Sequence, residues 1–227
     1  MKIYGLIGKN LSHSFSSRYF SEKFLKEGIE NTNYINLELN DISNIKEIIS
    51  KKKISGLNVT IPYKIEIIKH LDFLSEKAKE INSVNTIKIV EGKLFGFNTD
   101  IIGFKNSFQR ILEGRNSALV LGNGGASKSV QFILKELDIH FKVVTRDSDF
   151  SYKNINKDIL DEFSIIINCT PLGSYPKSDE YPKLPYSLLN SKHLLYDLVY
   201  NPKQTKFLTF GLENHCSIKN GEEMLTL

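Results

Sequence analysis

The sequence predicts an α/β chain of two domains, and three observations lead there. Strand-like and helix-like runs alternate along most of the length, a glycine-rich turn joins an apolar strand to a helix near the middle, and 41% hydrophobic residues in a 227-residue chain can supply real cores. The N-terminal half reads as one α/β domain, and the remainder as an open doubly wound sheet.

Lys2–Gly8 is a β-branched and apolar run that ends in glycine, hence a strand. After a serine-rich turn, Tyr19, Phe20, Phe24 and Leu25 recur at helical spacing within Ser17–Glu27. Tyr34–Leu39 follows as a strand, Ile42–Ser50 as a helix and Gly56–Thr60 as a strand, with Pro62 placed to open a helix through His70. Such alternation implies a mostly parallel sheet. Val84–Val90 and Lys93–Phe97 are extended runs joined by Glu91-Gly92, a hairpin, and helical spacing resumes over Ile101–Leu112, which sets a domain boundary near Asp100. From Ser117 the rhythm sharpens: Ala118–Leu121 strand, Gly122–Gly125 turn, Ala126–Leu137 helix, Phe141–Thr145 strand, with further strands at Ile165–Cys169 and Leu194–Val199. Tyr175–Pro185 holds three of the 6 prolines and reads as a surface loop.

Several classes are excluded. No apolar run approaches the roughly 20 residues that cross a bilayer, and the N-terminus lacks the apolar core of a secretory signal, so a cytoplasmic protein with no membrane partner is expected. Lys+Arg 30 against Asp+Glu 26 leaves +4, and the charges interleave, as in the helix-like Ser75–Ile81. That describes a solvated surface and no nucleic-acid partner. Cys169 and Cys216 stand apart without CxxC or Cys/His spacing, so neither a disulfide framework nor a metal site is expected. Redox chemistry here needs a borrowed cofactor.

The turn Gly122-Asn123-Gly124-Gly125-Ala126 puts glycines where a strand becomes a helix, letting backbone N–H groups face a diphosphate. A packing device gives the same pattern; the next strand bears on the choice. It ends in Thr145-Arg146-Asp147, about 20 residues on, where an acid binds a free ribose 2′-OH and an arginine a 2′-phosphate. Arg146 favours NADP, while Asp147 either opposes that phosphate or points away.

Gly56–Lys64 sets Asn58 and Thr60 on one face of a strand by period-two alternation, with Lys64 just beyond. Asp100 follows another extended run. A lysine and an aspartate in one cleft can move a proton near neutral pH, although as single residues both fit a solvated surface. Ser14 and Ser16 fit either two hydroxyls aimed one way or turn formers and a helix cap. Asn85 on an apolar strand needs a partner if buried, and a ligand hydroxyl is one; Tyr200 ends a buried strand and fits an interfacial tyrosine equally well.

With these residues in view, the chain resembles the shikimate dehydrogenase family over essentially its full length. The motifs are His13-Ser14-Phe15-Ser16, Asn58 to Lys64, Val84-Asn85-Thr86, Asn98-Thr99-Asp100-Ile-Ile-Gly103, Gly122 to Ala126, Asn168 to Gly173, Asp197-Leu-Val-Tyr200-Asn-Pro202 and Gly221-Glu-Glu-Met224-Leu225, all in family order. The resemblance implies a substrate domain over 1–100 and a Rossmann-like NADP domain over 101–220, with 221–227 beginning a helix that returns to the first. It implies reversible NADPH-dependent reduction of 3-dehydroshikimate to shikimate, on the route to chorismate and the aromatic amino acids, by a monomer or homodimer. Lys64 and Asp100 then look like the catalytic pair; Ser14, Ser16, Asn58, Thr60, Asn85, Asp100 and Tyr200 like the substrate cradle. Gly122, Asn123, Gly124, Gly125, Ala126, Thr145, Arg146, Leu198, Gly221 and Met224 look like the cofactor side, with a weaker contribution from Glu76.

Three departures stand out. Ser17 replaces the family's proline after the second serine, Thr145-Arg146-Asp147 replaces Asn-Arg-Thr, and the sequence stops at Leu227, where the family continues with a substrate-contacting glutamine and a helix on the first domain. The rival readings are an NAD-using quinate/shikimate dehydrogenase and a non-catalytic NADP-binding regulatory protein. Intact Lys64 and Asp100 argue against the latter.

Overall fold

The computed structural model describes residues 1–11, 14–147 and 149–226; His13 of the first motif and Leu227 lie outside them. Two compact units divide the chain, Met1–Thr99 and Asp100–Leu227.

In the first unit the elements follow as β1 (Lys2–Gly8), α1 (Phe15–Lys26), β2 (Thr32–Glu38), α2 (Ile45–Lys51), β3 (Ile54–Val59), β4 (Phe73–Leu74), α3 (Glu76–Ile81), β5 (Thr86–Val90) and β6 (Lys93–Phe97). They form a six-stranded sheet in the order β2-β1-β3-β5-β6-β4. The sheet is mixed: β5 runs antiparallel to both β3 and β6, as the tight Glu91-Gly92 hairpin turn demands, with φ of 50° and 75° at those residues. Ile7, Ile42, Ile45, Ile67, Val84 and Ile87 are sealed in its core.

The helix expected from Pro62 to His70 does not form. Turns run to a 3₁₀ segment, Glu66–His70. The cause is a competing partner: the Lys64 carbonyl accepts the Val84 N–H at 2.8 Å, and the Ile68 N–H turns to the Ile65 carbonyl instead.

The second unit carries α4 (Asp100–Gln109), β7 (Ser117–Leu121), α5 (Gly125–Glu136), β8 (His140–Val144), α6 (Lys157–Glu162), β9 (Ile165–Asn168), β10 (Leu194–Asp197), α7 (Lys206–Glu213), β11 (Ser217–Lys219) and α8 (Glu222–Thr226). Its five strands are all parallel, in the order β11-β10-β9-β7-β8. The chain begins at β7, adds β8 on one side, then returns to add β9 to β11 on the other. That order is the doubly wound Rossmann-like arrangement, in which right-handed crossovers as a rule set helices on opposite faces. Ala118 to Leu121 of β7 and Ile165 to Ile167 of β9 are apolar and buried, as strands covered on both faces must be.

The last helix lies against the first helix of its own unit. α8 packs on α4 within the second unit, where an added Cβ at Gly103 would sit 3.0 Å from Met224 Cγ. That close approach is available only because Gly103 has no side chain.

Candidate functional site

Register gathers the substrate-side residues at one edge of the first sheet. β1, β2 and β3 are parallel, so the chain leaves all three at the same edge; β5 enters there with Asn58 opposite Thr86, and Thr86 lies opposite Phe97 at the end of β6. Ser14 is the N-cap of α1, its Oγ accepting the Ser16 N–H at 3.3 Å, so the capping role is real. The stretch after β3 is pinned by the Thr60 N–H on the Ile7 carbonyl (2.9 Å), by Val84 on Lys64, and by buried Tyr63, whose hydroxyl donates to the Leu39 carbonyl at 2.6 Å. Lys64 is thereby held by its backbone at the sheet edge, partly exposed.

A hydrogen-bonded chain runs along this edge. The Thr99 N–H donates to Asn85 Oδ1 at 2.9 Å, and Thr86 Oγ1 donates to the same oxygen at 3.0 Å. Asn85 Nδ2 donates to Thr99 Oγ1 at 2.9 Å. Asn58 Nδ2 donates to Thr86 Oγ1 at 3.5 Å, and the Tyr34 hydroxyl donates to Asn58 Oδ1 at 2.8 Å. Asp100 is the next residue along the chain from Thr99 and the first of α4.

In the second unit every strand ends at one edge, so the turns after β7, β8, β9, β10 and β11 share it. The strand order reverses between β7 and β9, which is where doubly wound sheets bind ligands. Gly122 lies there with φ of +98°, and a Cβ on it would stand 3.0 Å from Thr170 Cγ2. Buried Ser127 donates to the Gly122 carbonyl at 2.7 Å, and Gln131 donates to Ser127 Oγ at 2.9 Å and to Asn123 Oδ1 at 3.4 Å. Gly124, the N-cap of α5, has φ −81°, which any residue adopts, and a Cβ there would enter open space. Neither backbone nor packing asks for glycine at that position, but a diphosphate brought close to the helix start does, so the turn fits a dinucleotide. Thr145 is held by a bridge to Ser151, and Arg146 and Asp147 beyond it are exposed.

Leu198 and Gly221 meet at the same edge. A Cβ on Gly221 would fall 2.8 Å from the Leu198 carbonyl carbon, and the Gly221 N–H bonds the Val199 carbonyl at 3.2 Å. Met224 sits in α8 directly beyond. Tyr200 follows β10, its phenol pushed up by burial. Glu76 is exposed, in the first turn of α3 of the first unit.

Sequence reasoning passed over two groups. Tyr34, which holds Asn58, carries no local signal, because its partner is 24 residues away; Thr86 stands beside Asn85 in the Val84-Asn85-Thr86 motif but was given no role there. Asp197 carried a signal, an acid ending the buried run Leu194–Asp197. It accepts Asn168 Nδ2 at 2.9 Å, the Val199 N–H at 3.0 Å and Thr205 Oγ1 at 2.6 Å, tying β9 to the loop of Leu198. Burial pushes its carboxyl up to about 6 against the pull of those donors. Among the described residues no group of three His, Cys, Asp or Glu is placed to hold a metal, and no helix is long and apolar enough to cross a membrane.

An α/β protein with a glycine cradle at the switch point of a doubly wound sheet belongs to the dinucleotide-binding class. Comparison with known proteins narrows this. The profile of the shikimate dehydrogenase substrate binding domain matches residues 6–87. A shikimate dehydrogenase (NADP(+)) of Clostridium beijerinckii is 38% identical, over 99% of this chain and 88% of that protein. Among solved structures, shikimate dehydrogenase 1 of Peptoclostridium difficile superposes with TM-score 0.86 at 35% identity, covering 99% of this chain and 87% of that one. The Thermus thermophilus enzyme in complex with NADP(H) and shikimate gives 0.84 at 28% identity, covering 99% and 89%. The chain belongs to the shikimate dehydrogenase family.

Proposed function

We propose that this protein is an NADP-dependent shikimate dehydrogenase, an oxidoreductase that interconverts 3-dehydroshikimate and shikimate on the route to chorismate and the aromatic amino acids. The observation that carries it is the 38% identity to a curated NADP(+) enzyme over 99% of the chain. The first unit takes the substrate. Ser14, Ser16, Asn58, Thr60, Asn85 and Tyr200 bind the carboxylate and ring hydroxyls, and Lys64 Nζ and the Asp100 carboxylate take the proton of the reacting hydroxyl in the oxidation direction. The second unit takes NADP, with Gly122 to Ala126 under the diphosphate, Thr145 and Arg146 at the ribose 2′-phosphate, and Leu198, Gly221 and Met224 at the nicotinamide; Glu76 contributes weakly. When bound, the cofactor supplies the hydride exchange that no side chain can perform. The protein acts in the cytoplasm on small molecules, as a monomer or homodimer.

Asp147, exposed beside Arg146, favours a second reading, an NAD-using quinate/shikimate dehydrogenase. NADPH and NADH oxidation with 3-dehydroshikimate, followed by absorbance, separates the two: turnover with NADPH well above NADH supports the first, the reverse order the second. No turnover with either rejects both.

A further inference from the structure

We propose that Tyr34 is a positioning residue for substrate recognition, fixing Asn58 as a hydrogen-bond donor toward the ligand. This rests on the assignment of Asn58 to substrate binding. The direction of the hydrogen bonds can be followed from a group whose proton is certain. The Thr99 backbone N–H can only donate, so the Asn85 atom at 2.9 Å is its oxygen. Thr86, which has one proton, gives it to that oxygen at 3.0 Å and so presents a lone pair to Asn58. Asn58 therefore turns its NH₂ toward Thr86 at 3.5 Å and its carbonyl toward Tyr34, whose hydroxyl donates at 2.8 Å. Each orientation dictates the next, so the amide of Asn58 has one consistent setting.

Tyr34 is suited to hold that setting. It is 5% exposed, and its ring stacks on Phe20 with centroids 4.5 Å apart, so its hydroxyl is carried on a rigid support. With one lone pair of the Asn58 carbonyl taken by Tyr34 and one amide N–H turned to Thr86, the amide keeps a second N–H in a fixed direction, which matches an acceptor oxygen of a carboxylate or ring hydroxyl.

The test begins with wild-type turnover of shikimate with NADP⁺, since its absence rejects the proposed function but not the relay. The relay is read separately from the ¹⁵N side-chain amide resonances of Asn58, assigned against Asn58→Asp. Tyr34→Phe keeps the ring and removes one hydroxyl. It should shift or exchange-broaden the Asn58 amide signals, raise the KM for shikimate about tenfold, and leave kcat and the KM for NADP⁺ within about twofold. Thr86→Val should act in the same way and Thr86→Ser should restore wild-type values, while the double variant Tyr34→Phe/Thr86→Val should be little worse than the poorer single variant, because both break one chain. Unchanged amide signals and KM in Tyr34→Phe overturn the proposal, as do fully additive effects of the two substitutions. If Tyr34→Phe fails to fold, the Thr86 pair decides: failure of Ser to restore what Val removes overturns it.

Discussion

Gly103→Ala tests whether the approach of α8 to α4 holds the cofactor-side residues in place. Two effects of opposite sign compete. Within a helix, alanine in place of glycine contributes about 0.5–1 kcal/mol of stability. Against that, the new Cβ would lie closer than 3.0 Å to the Met224 carbonyl oxygen, 3.0 Å from Met224 Cγ and 3.2 Å from its carbonyl carbon, so the neighbour is mostly backbone. Restoring ordinary contact needs α8 to retreat by about 1 Å. It has little room to do so, because Gly221 at its start already lies against the Leu198 backbone, where a Cβ would be 2.8 Å from the carbonyl carbon. Overpacking of this kind costs about 1–3 kcal/mol, which leaves a net loss of about 0–2.5 kcal/mol, centred near 1. For a chain of this length the central value lowers Tm by about 2–4 °C. Because Gly221 and Met224 move with α8, the KM for NADPH should rise severalfold as well. Thermal denaturation and steady-state kinetics read both, with Gly124→Ala as a control whose Cβ enters open space and which loses only an N-cap preference. A Gly103→Ala protein melting at or above wild type with unchanged KM for NADPH refutes the reasoning, since the helix gain would then be acting without a clash.

Lys64→Ala should lower kcat by about 10²–10⁴ with little change in the KM for shikimate, as loss of a proton-transfer group does; near wild-type kcat removes Lys64 from the chemistry. Arg146→Ala should raise the KM for NADPH far more than that for NADH, because only the former loses a bidentate partner for a phosphate; equal effects on both remove it from the 2′-phosphate. Asp197 titrates at about 6 in the fold against an ordinary 3.8, so the folded state holds the proton more tightly. Its contribution to stability is therefore present below about pH 4 and lost as pH rises through about 6, a fall of about 3 kcal/mol. Asp197→Asn should flatten that part of a Tm-against-pH curve, and an unaltered curve assigns the fall to other groups.

The parts of this fold legible in the sequence are those whose cause is local. β1, β3 and β7 announce themselves by short apolar runs closed by glycine or polar residues, and the Glu91-Gly92 turn by a glycine that tolerates positive φ between two alternating runs. The missing helix after Pro62 had a distant cause, since nothing near Lys64 says that Val84 will take its carbonyl. The short strands β4 and β11, of two and three residues, are too brief to show a period, and α6 and α7 lie where no motif drew attention. The substrate-side asparagines were legible as polar residues in apolar strands. Tyr34 was not, because a tyrosine in an alternating strand is ordinary until its hydroxyl is seen on Asn58, 24 positions away.

The glycines of the second unit show how a structure separates residues that a sequence presents as equals. Gly122 is required by its φ of +98°, Gly103 and Gly221 by the backbone that crosses them, and each would be needed in a protein that bound nothing. Gly124 meets neither demand. Its φ is ordinary and the space before it is open, so within the fold it answers only to the mild preference of an N-cap for glycine over alanine. What makes glycine useful at that one position is something from outside the chain that must come close to the backbone at the start of a helix, on the edge where β7 and β9 diverge. An anion suits that place, because the N–H groups of the first turn have no partners within the helix. Within the turn, Gly122 answers to the fold, while Gly124, beyond its mild preference as an N-cap, points to a ligand.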